Sequence, residues 1–136
     1  MKFLIVEDEF VSRSKLLKIL SNYGECNVAI DGHEALRAFQ EALADNDPYD
    51  LICLDIMMPK LDGHETLQEI RRMEEEKGIG GVDHVKVVMT SALSDAKNIM
   101  KAFMRGQCEA YLAKPINRKK LEKQMEELGL IEQQEF

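Results

Sequence analysis

The sequence predicts an α/β fold in which a five-stranded parallel sheet has helices on both faces, giving three layers. Two observations predict it. The chain contains five short apolar segments, and five segments of helical periodicity alternate with them. Such alternation needs crossover connections that keep the strands parallel. The length of 136 residues suits one domain. We expect residues 1–131 to form it and residues 132–136 to be a frayed tail.

Each predicted strand is short, apolar and bounded by polar or turn-forming residues, which is typical of buried parallel strands. The five are Phe3–Val6, Cys26–Ile30, Leu51–Leu54, Val85–Met89 and Ala110–Ala113. Between them, apolar residues recur at spacings of three and four, the period of a helix with one buried face. The first predicted face is Phe10, Ser14, Leu17 and Ser21, with Leu16 and Leu20 beside it. The others are, in chain order, Ala35, Leu36, Phe39 and Leu43; Leu67, Ile70 and Met73 or Glu74; Ala96, Ile99, Met100 and Phe103; and Leu121, Met125 and Leu128.

Two helix starts have nearly the same sequence, DGHEAL at Asp31 and DGHETL at Asp62. An aspartate followed three residues later by a glutamate is a helix-start signature. Since each occurrence follows a predicted strand, we interpret both as helix caps and not as an internal repeat. The charged segment Glu74–Lys77 is typical of a solvated helix face, supported by the Arg71–Glu75 and Arg72–Glu76 spacings.

Composition and charge exclude several classes of function. Eighteen basic and 25 acidic residues give a net charge of −7, whereas non-specific nucleic-acid binding depends on positive charge. No apolar segment approaches the ~20 residues of a membrane-spanning helix, and acids follow the short apolar N-terminus too soon for a signal peptide. We therefore predict a cytoplasmic protein that binds neither nucleic acid nor membrane.

The cysteines and histidines lack metal-ligand spacing, so we expect reduced structural thiols and histidines at the surface or at helix caps.

Acidic side chains follow the first and third predicted strands. Glu7 and Asp8 come after the first and Asp55 after the third, while Thr90 and Ser91 follow the fourth and Lys114 the fifth. Because the carboxyl ends of parallel strands meet at one edge of the sheet, we expect these groups to converge. Two carboxylates ~4 Å apart repel by about 1–4 kcal/mol, and one lysine cannot neutralise three acids. Carboxylate oxygens favour Mg²⁺, with Mn²⁺ as a substitute, so the sequence predicts a magnesium site.

Four motifs at these strand ends resemble those of the receiver domain of bacterial response regulators, the family that includes the single-domain chemotaxis regulator. They are FLIVEDE, LDIMMPKLDG, VVMTSA and YLAKPI, and they span nearly the whole chain in the order and spacing of that family. The resemblance implies a flavodoxin-like (βα)5 fold with strand order 2-1-3-4-5. It also implies a two-component phosphorelay, in which a histidine kinase supplies the phosphoryl group.

The resemblance implies a role for each residue of the site. Asp55 is the phosphoacceptor, assisted by Lys114 and by the hydroxyl of Ser91. The metal ligands are Asp8, Asp55, the backbone carbonyl of Met57 and, through water, Glu7. On phosphorylation Ser91 moves toward the phosphoryl group and Tyr111 turns inward, which forms the switch. In this family the bond from the lysine to the following proline is typically cis. The domain is a phosphoacceptor and not a general enzyme, because it catalyses only its own phosphorylation and dephosphorylation.

This sequence departs from the family pattern at three positions. Position 7 is Glu where many members have Asp, which changes the water-mediated metal contact. Met57 and Leu93 occupy the two positions that flank the site and tune dephosphorylation. Both side chains are apolar and cannot orient an attacking water by hydrogen bonding, so we hypothesise slow self-dephosphorylation.

Three other functions are considered. A haloacid dehalogenase-like phosphatase needs a second aspartate two residues after the nucleophile, where this chain has Met57. A flavodoxin-like cofactor binder needs a first loop rich in Ser, Thr and Gly, where this chain has acids. A receiver-like module that binds partners without phosphorylation is the third alternative.

The expected partners are a sensor histidine kinase or a phosphotransfer protein. Nothing after the fifth helix resembles an output domain, so we expect output by protein–protein contact or by onward relay of the phosphoryl group. The expected downstream target binds the face formed by the fourth helix, fifth strand and fifth helix. We expect a monomer, or a weak dimer on phosphorylation.

Overall fold

The computed structural model describes residues 1–92 and 108–132. Its elements, in chain order, are β1 (Lys2–Val6), α1 (Phe10–Leu20), β2 (Glu25–Ala29), α2 (Gly32–Ala44), β3 (Leu51–Asp55), α3 (Gly63–Glu76), a 3-10 helix (Gly81–Asp83), β4 (Lys86–Ala92), β5 (Ala110–Lys114) and a C-terminal helix (Arg118–Glu127). The predicted fourth helix, with Ala96, Ile99, Met100 and Phe103, lies outside the described residues.

The five strands form one sheet in the order β2-β1-β3-β4-β5, and every neighbouring pair is parallel. This confirms the predicted flavodoxin-like α/β fold. The register pairs Val6 with Leu54, Asp55 with Thr90, and Thr90 with Leu112. The carboxyl ends of β1, β3, β4 and β5 therefore lie at one edge of the sheet.

Successive side chains of the central strands alternate between two apolar clusters, as the pleat of a strand requires. One cluster contains Leu4, Ile52 and Val87 and packs against α2 and α3. The other contains Ile5 and Cys53 and packs against α1 and the C-terminal helix. Helices thus cover both faces of the sheet, and fully burying each large aliphatic side chain contributes roughly 1.5–3 kcal/mol.

The edge strand β2 corrects the prediction that all five strands are buried. Val28 is 45% exposed, and Ala29 is the one buried residue of this strand. The reason is its position, because an edge strand has a neighbour on one side alone and the helices mainly cover the centre of the sheet.

Helix α1 buries a different face from the predicted one. Phe10 is 70% exposed and Leu17 is also exposed, whereas Leu16, Ile19 and Leu20 are buried. The segment FVSRSKLLKIL has apolar residues on two sides. Three adjacent aliphatic residues remove more apolar surface from water than Phe10 and Leu17, which are two turns apart, and this difference orients the helix.

The helix caps form as predicted. The Asp31 side chain accepts a hydrogen bond from the Glu34 amide. The Asp62 side chain accepts one from the Glu65 amide, and the Glu65 carboxylate accepts one from the Asp62 amide. Each such cap contributes about 1 kcal/mol. The DGHE signature therefore fixes where α2 and α3 begin.

The predicted solvated face at Glu74–Lys77 is wrong at its first residue. Glu74 is 1% exposed, and its carboxylate contacts Arg71 at 2.7 Å and accepts the Val85 amide at 2.7 Å. Arg71 also contacts Glu109, and the ion pairs found among the described residues do not include the predicted one with Glu75. A carboxylate is tolerated in this buried position because an arginine and a backbone amide satisfy its oxygens.

His64 does not occupy the surface, which was one of its two predicted locations, because it is buried in the first turn of α3 beside the Asp62 cap. The three cysteines are free, and burial raises the pKa of the Cys53 thiol to about 12. That thiol is therefore protonated and unreactive at neutral pH.

In the described part of the chain, no helix is both long and apolar enough to cross a membrane.

Candidate functional site

Three carboxylates converge at the carboxyl edge of the sheet. Oxygen atoms from Glu7, Asp8 and Asp55 all lie within 4.8 Å of one another. Asp55 is the last residue of β3, and Glu7 and Asp8 follow β1, which is the neighbouring strand. Glu7 is fully buried and Asp55 is 2% exposed, whereas Asp8 faces solvent. Two of the three charges are therefore removed from water, which magnifies their mutual repulsion.

Lys114 supplies the positive charge at this site. It is the last residue of β5, and its Nζ lies 2.6 Å from Glu7 Oε1 and 3.3 Å from Asp55 Oδ2. The lysine is therefore closer to the glutamate than to the aspartate. Its peptide bond to Pro115 is cis. Among the described residues Lys114 is the cation that forms ion pairs with these acids, and the four side chains together carry a formal charge of −2.

The charge imbalance appears in the pKa values of the site. Burial, and then the negative charge of Glu7, raise the pKa of Asp55 from 3.8 to about 7, although Lys114 partly opposes them. Burial lowers the pKa of Lys114, but its hydrogen bond to Glu7 and the negative charge of Asp55 outweigh that effect, so its pKa is raised overall. Full ionisation of Asp55 therefore needs more positive charge than Lys114 provides.

The donor set fits a hard divalent cation. The cluster consists of carboxylate oxygens, and no thiol or imidazole from residues 1–92 and 108–132 belongs to it. Mg²⁺ typically binds through one or two carboxylates and retains several waters. The solvent-exposed Asp8 leaves the cluster open to water on one side. The residues present therefore match the chemistry that Mg²⁺ requires.

The loop after β3 is held close to Asp55. The Met57 amide donates a hydrogen bond to Asp55 Oδ1 at 3.2 Å, and the Gly63 amide donates to the Ile56 carbonyl at 2.9 Å. A Cβ at Gly63 would lie 2.7 Å from Ile56 Cα and closer still to the Asp55 carbonyl oxygen. Glycine at the start of α3 thus permits the close approach that positions the Met57 backbone.

The two hydroxyl residues lie inside β4 and not after it, because the strand extends to Ala92. Ser91 is buried, and its Oγ donates to the Ala92 carbonyl at 3.2 Å. Ser91 is two residues after Met89 on β4, and Tyr111 is the register partner of Met89 on β5, so all three side chains point to the same face of the sheet. Met89 belongs to the cluster that packs against α2 and α3. Ser91 and the half-buried Tyr111 therefore share the sheet face opposite to that of Asp55 and Lys114.

Thr90 also lies at this edge of the sheet, and the resemblance to receiver domains implies no role for it. It is the register partner of Asp55 and is 1% exposed. Its Oγ1 has no hydrogen-bond partner among residues 1–92 and 108–132. Thr90 is identified by its side chain pointing to the same face of the sheet as Asp55 on the neighbouring strand. That comparison requires the β3–β4 register, which a single sequence does not specify.

Exposed apolar side chains lie beside the acidic cluster in the sequence. Phe10 and Val11 begin α1 directly after the acidic loop, and Met57 follows Asp55 by two residues. All three are more than half exposed. Apolar exposure next to a buried charged site is typical of a surface that a partner covers.

Residues 3–126 match the family model described as the response regulator receiver domain. The chain is 38% identical over 122 residues to a probable transcriptional regulator, ycf27, of Guillardia theta, covering 89% of this chain and 42% of that protein. It is 33% identical over 122 residues to the osmosensing histidine protein kinase SLN1 of Saccharomyces cerevisiae, covering 88% of this chain and 9% of that protein. The chain spans less than half the length of these curated relatives.

Solved structures give the same result. The chemotaxis protein CheY4 of Vibrio cholerae superposes with a TM-score of 0.76 at 26% identity, covering 93% of this chain and 97% of that one. The receiver domain of Ssk1, crystallised with the histidine phosphotransfer protein Ypd1 of Saccharomyces cerevisiae, gives a TM-score of 0.81 at 30% identity, covering 95% and 88%. This chain therefore belongs to the response regulator receiver domain family of two-component systems.

Proposed function

We propose that the chain accepts a phosphoryl group from a phosphohistidine onto Asp55, in a Mg²⁺-dependent reaction. One observation carries the proposal: Asp55 is buried at the edge of the sheet, with Lys114 Nζ at 3.3 Å and with the carboxylates of Glu7 and Asp8 beside it. A carboxylate is a competent nucleophile toward phosphorus and forms a covalent acyl phosphate.

The reaction needs no general base, because an ionised aspartate has no proton to lose. An oxygen of Asp55 attacks phosphorus, the new P–O bond forms, and the P–N bond to the donor imidazole breaks with its electron pair returning to nitrogen. Lys114 stabilises the negative charge on the phosphoryl oxygens during transfer. Mg²⁺, held by Asp8, Asp55, the Met57 carbonyl and, through water, Glu7, would neutralise the same charge and favour ionisation of Asp55.

The new charge on Asp55 then biases a switch formed by Ser91 and Tyr111. Their position on one face of the sheet supports this role, because movement of Ser91 changes the space available to the tyrosine ring. The effect is a population shift between two packings, driven by a local charge. The surface changed by it includes β5 and the C-terminal helix, and we propose that a downstream protein binds there. The predicted fourth helix of that surface lies outside the described residues.

The proposed phosphodonor is a sensor histidine kinase or a histidine phosphotransfer protein, acting in the cytoplasm. The complex of Ssk1 with Ypd1 supports this class of partner for a receiver of similar structure. The exposed Phe10, Val11 and Met57 beside the site supply apolar surface for such a partner. We propose that the chain signals by protein contact or relays the phosphoryl group onward.

Intact-mass analysis after incubation with acetyl phosphate tests the proposal. Wild type should gain the mass of one phosphoryl group with Mg²⁺ and none with EDTA, and Asp55→Asn should gain none in either condition. The exposed Asp83 provides the matched control, and Asp83→Asn should behave as wild type. No gain in wild type with Mg²⁺, or equal gain in Asp55→Asn, contradicts the proposal. The first of these results would favour a phosphorylation-independent binding module.

A further inference from the structure

We propose that the hydroxyl of Thr90 is a positioning group that holds Lys114 against Asp55 during phosphoryl transfer. The inference rests on the proposed phosphorylation of Asp55 and assigns a further residue to that reaction. Thr90 does not touch the phosphoryl group in this proposal, because it acts through the lysine. Three features of the structure support it: the strand register, the burial of the hydroxyl and the path of the lysine side chain.

The register places Thr90 beside Asp55 on the same face of the sheet. Asp55 and Thr90 are direct register partners in β3 and β4, and neighbouring parallel strands lie about 4.8 Å apart. Two residues earlier, Cys53 and Val88 are also partners, and both belong to the cluster under α1 and the C-terminal helix. By alternation, Asp55 and Thr90 point toward that same side.

Lys114 crosses this position. It begins on β5 and reaches Asp55 on β3, and β4 lies between these two strands. Lys114 is two residues after Leu112 on β5, so the two side chains leave the strand on the same face. Leu112 is the register partner of Thr90 and belongs to the cluster that packs against α1 and the C-terminal helix. The lysine side chain must therefore pass over the end of β4 on the face that carries the Thr90 side chain.

The Thr90 hydroxyl is buried, with no hydrogen-bond partner in the described residues. Burying an unsatisfied hydroxyl destabilises a fold, so a valine of the same shape would suit this position better on grounds of stability alone. The hydroxyl is therefore available for a bond that forms in another state of the site. The lysine ammonium has three N–H donors, and two of its acceptors here are Glu7 and Asp55.

The unequal distances of Lys114 from its two acid partners define what the hydroxyl does. In the structure Nζ is 2.6 Å from Glu7 and 3.3 Å from Asp55. To stabilise a phosphoryl group on Asp55, the lysine must move from Glu7 toward Asp55. Thr90 Oγ1 accepts an ammonium N–H in that position, and it replaces the acceptor that Glu7 provided.

Phosphorylation by acetyl phosphate with Mg²⁺, followed by intact mass over time, tests the inference in wild type, Thr90→Val and Thr90→Ser. Loss of a hydrogen bond to a charged group corresponds to a rate reduction of about tenfold. We expect Thr90→Val to lower the maximal rate of phosphorylation by this factor. The acetyl phosphate concentration that gives half of the maximal rate should stay the same. Thr90→Ser, which keeps the hydroxyl, should restore the rate to within about twofold of wild type. Urea denaturation should find Thr90→Val at least as stable as wild type.

Thr66 provides a matched control, because it is a buried threonine whose hydroxyl does have a partner, the Asp62 carbonyl at 2.8 Å. Thr66→Val should therefore lower stability and leave the rate per folded molecule near that of wild type. Equal rates in wild type and Thr90→Val overturn the inference, and so does an equal loss in Thr90→Ser. A Thr90→Val variant that fails to fold also overturns it, because the hydroxyl would then be structural. Failure of wild type to gain mass instead contradicts the proposed function.

Discussion

Replacing Asp55 by asparagine should stabilise the metal-free protein at alkaline pH. Burial and the charge of Glu7 raise the pKa of Asp55 from 3.8 to about 7. The folded state therefore retains a proton that the unfolded state has lost between these two values. Since stability rises with pH only where the unfolded state binds more protons, here it falls as pH rises from about 4 to about 7. The full penalty of the ionised Asp55 is present above that range, and asparagine removes it.

The magnitude follows from the two pKa values. The difference between 3.8 and about 7 corresponds to ~4 kcal/mol of unfolding free energy at pH 8 and to ~1.7 kcal/mol at pH 5. The attraction between Lys114 and Asp55 is already included in the raised pKa. These free energies are upper bounds, because small movements of the site and entry of water around the ionised carboxylate reduce the penalty. Lys114 keeps its closer partner, Glu7 at 2.6 Å, in the variant. We therefore expect a gain of ~1–3 kcal/mol at pH 8 and less than half of that gain at pH 5.

Urea denaturation followed by far-ultraviolet circular dichroism measures this difference in the presence of EDTA. Equal m-values in the two proteins are required, so that a change of midpoint reports stability alone. Saturating Mg²⁺ should reduce the difference, because a ligand stabilises the form that binds it, by ~2.7 kcal/mol at one hundred times the dissociation constant. An asparagine variant that is less stable than wild type at pH 8 in EDTA would refute the reasoning. A gain of equal size at pH 5 would also refute it.

Three further substitutions test the supports of the site by urea denaturation. Glu74→Ala should destabilise the protein by ~1–3 kcal/mol, because it removes the ion pair with Arg71 and leaves the buried Val85 amide without its acceptor. The exposed Glu75→Ala should change stability by less than about 0.5 kcal/mol, and equal effects would contradict the structural role of the buried Glu74. Gly63→Ala should cost ~1–3 kcal/mol and weaken Mg²⁺ binding in calorimetry, because the new Cβ meets the backbone at Asp55 and Ile56. Gly80→Ala, where nothing lies within 4 Å, should do neither. Asp62→Ala should cost about 1 kcal/mol through loss of the cap on Glu65, and an unchanged midpoint would argue against that cap.

The convergence of the acids and the lysine could be predicted from sequence alone. Asp55 and Lys114 are the last residues of their strands, and Glu7 and Asp8 follow the first. Parallel strands have a common carboxyl edge, so strand positions alone bring these residues together. The helix starts were predictable for a similar reason, because Asp31 and Asp62 cap through bonds to residues three positions away.

Features that depend on tertiary packing could not be predicted. The buried face of α1 depends on which of two apolar sides lies against the sheet, and the sequence alone favoured the side of Phe10. Burial of Glu74 depends on Arg71 and on the Val85 amide, which is 11 residues away in the chain. The closeness of Lys114 to Glu7 depends on side-chain lengths across two strands, and Thr90 could be placed beside Asp55 only once the register was known.

The late position of Lys114 in the chain has a consequence for how the protein is made. A ribosome releases β1 and β3, with their clustered acids, well before the counter-charge on the last strand has been synthesised. Before β5 docks, the carboxylates at the ends of these two strands repel one another, and Lys114 then offsets part of that repulsion. The ion pairs of Lys114 with Glu7 and Asp55 thus couple the docking of β5 to the two strands that carry the acids.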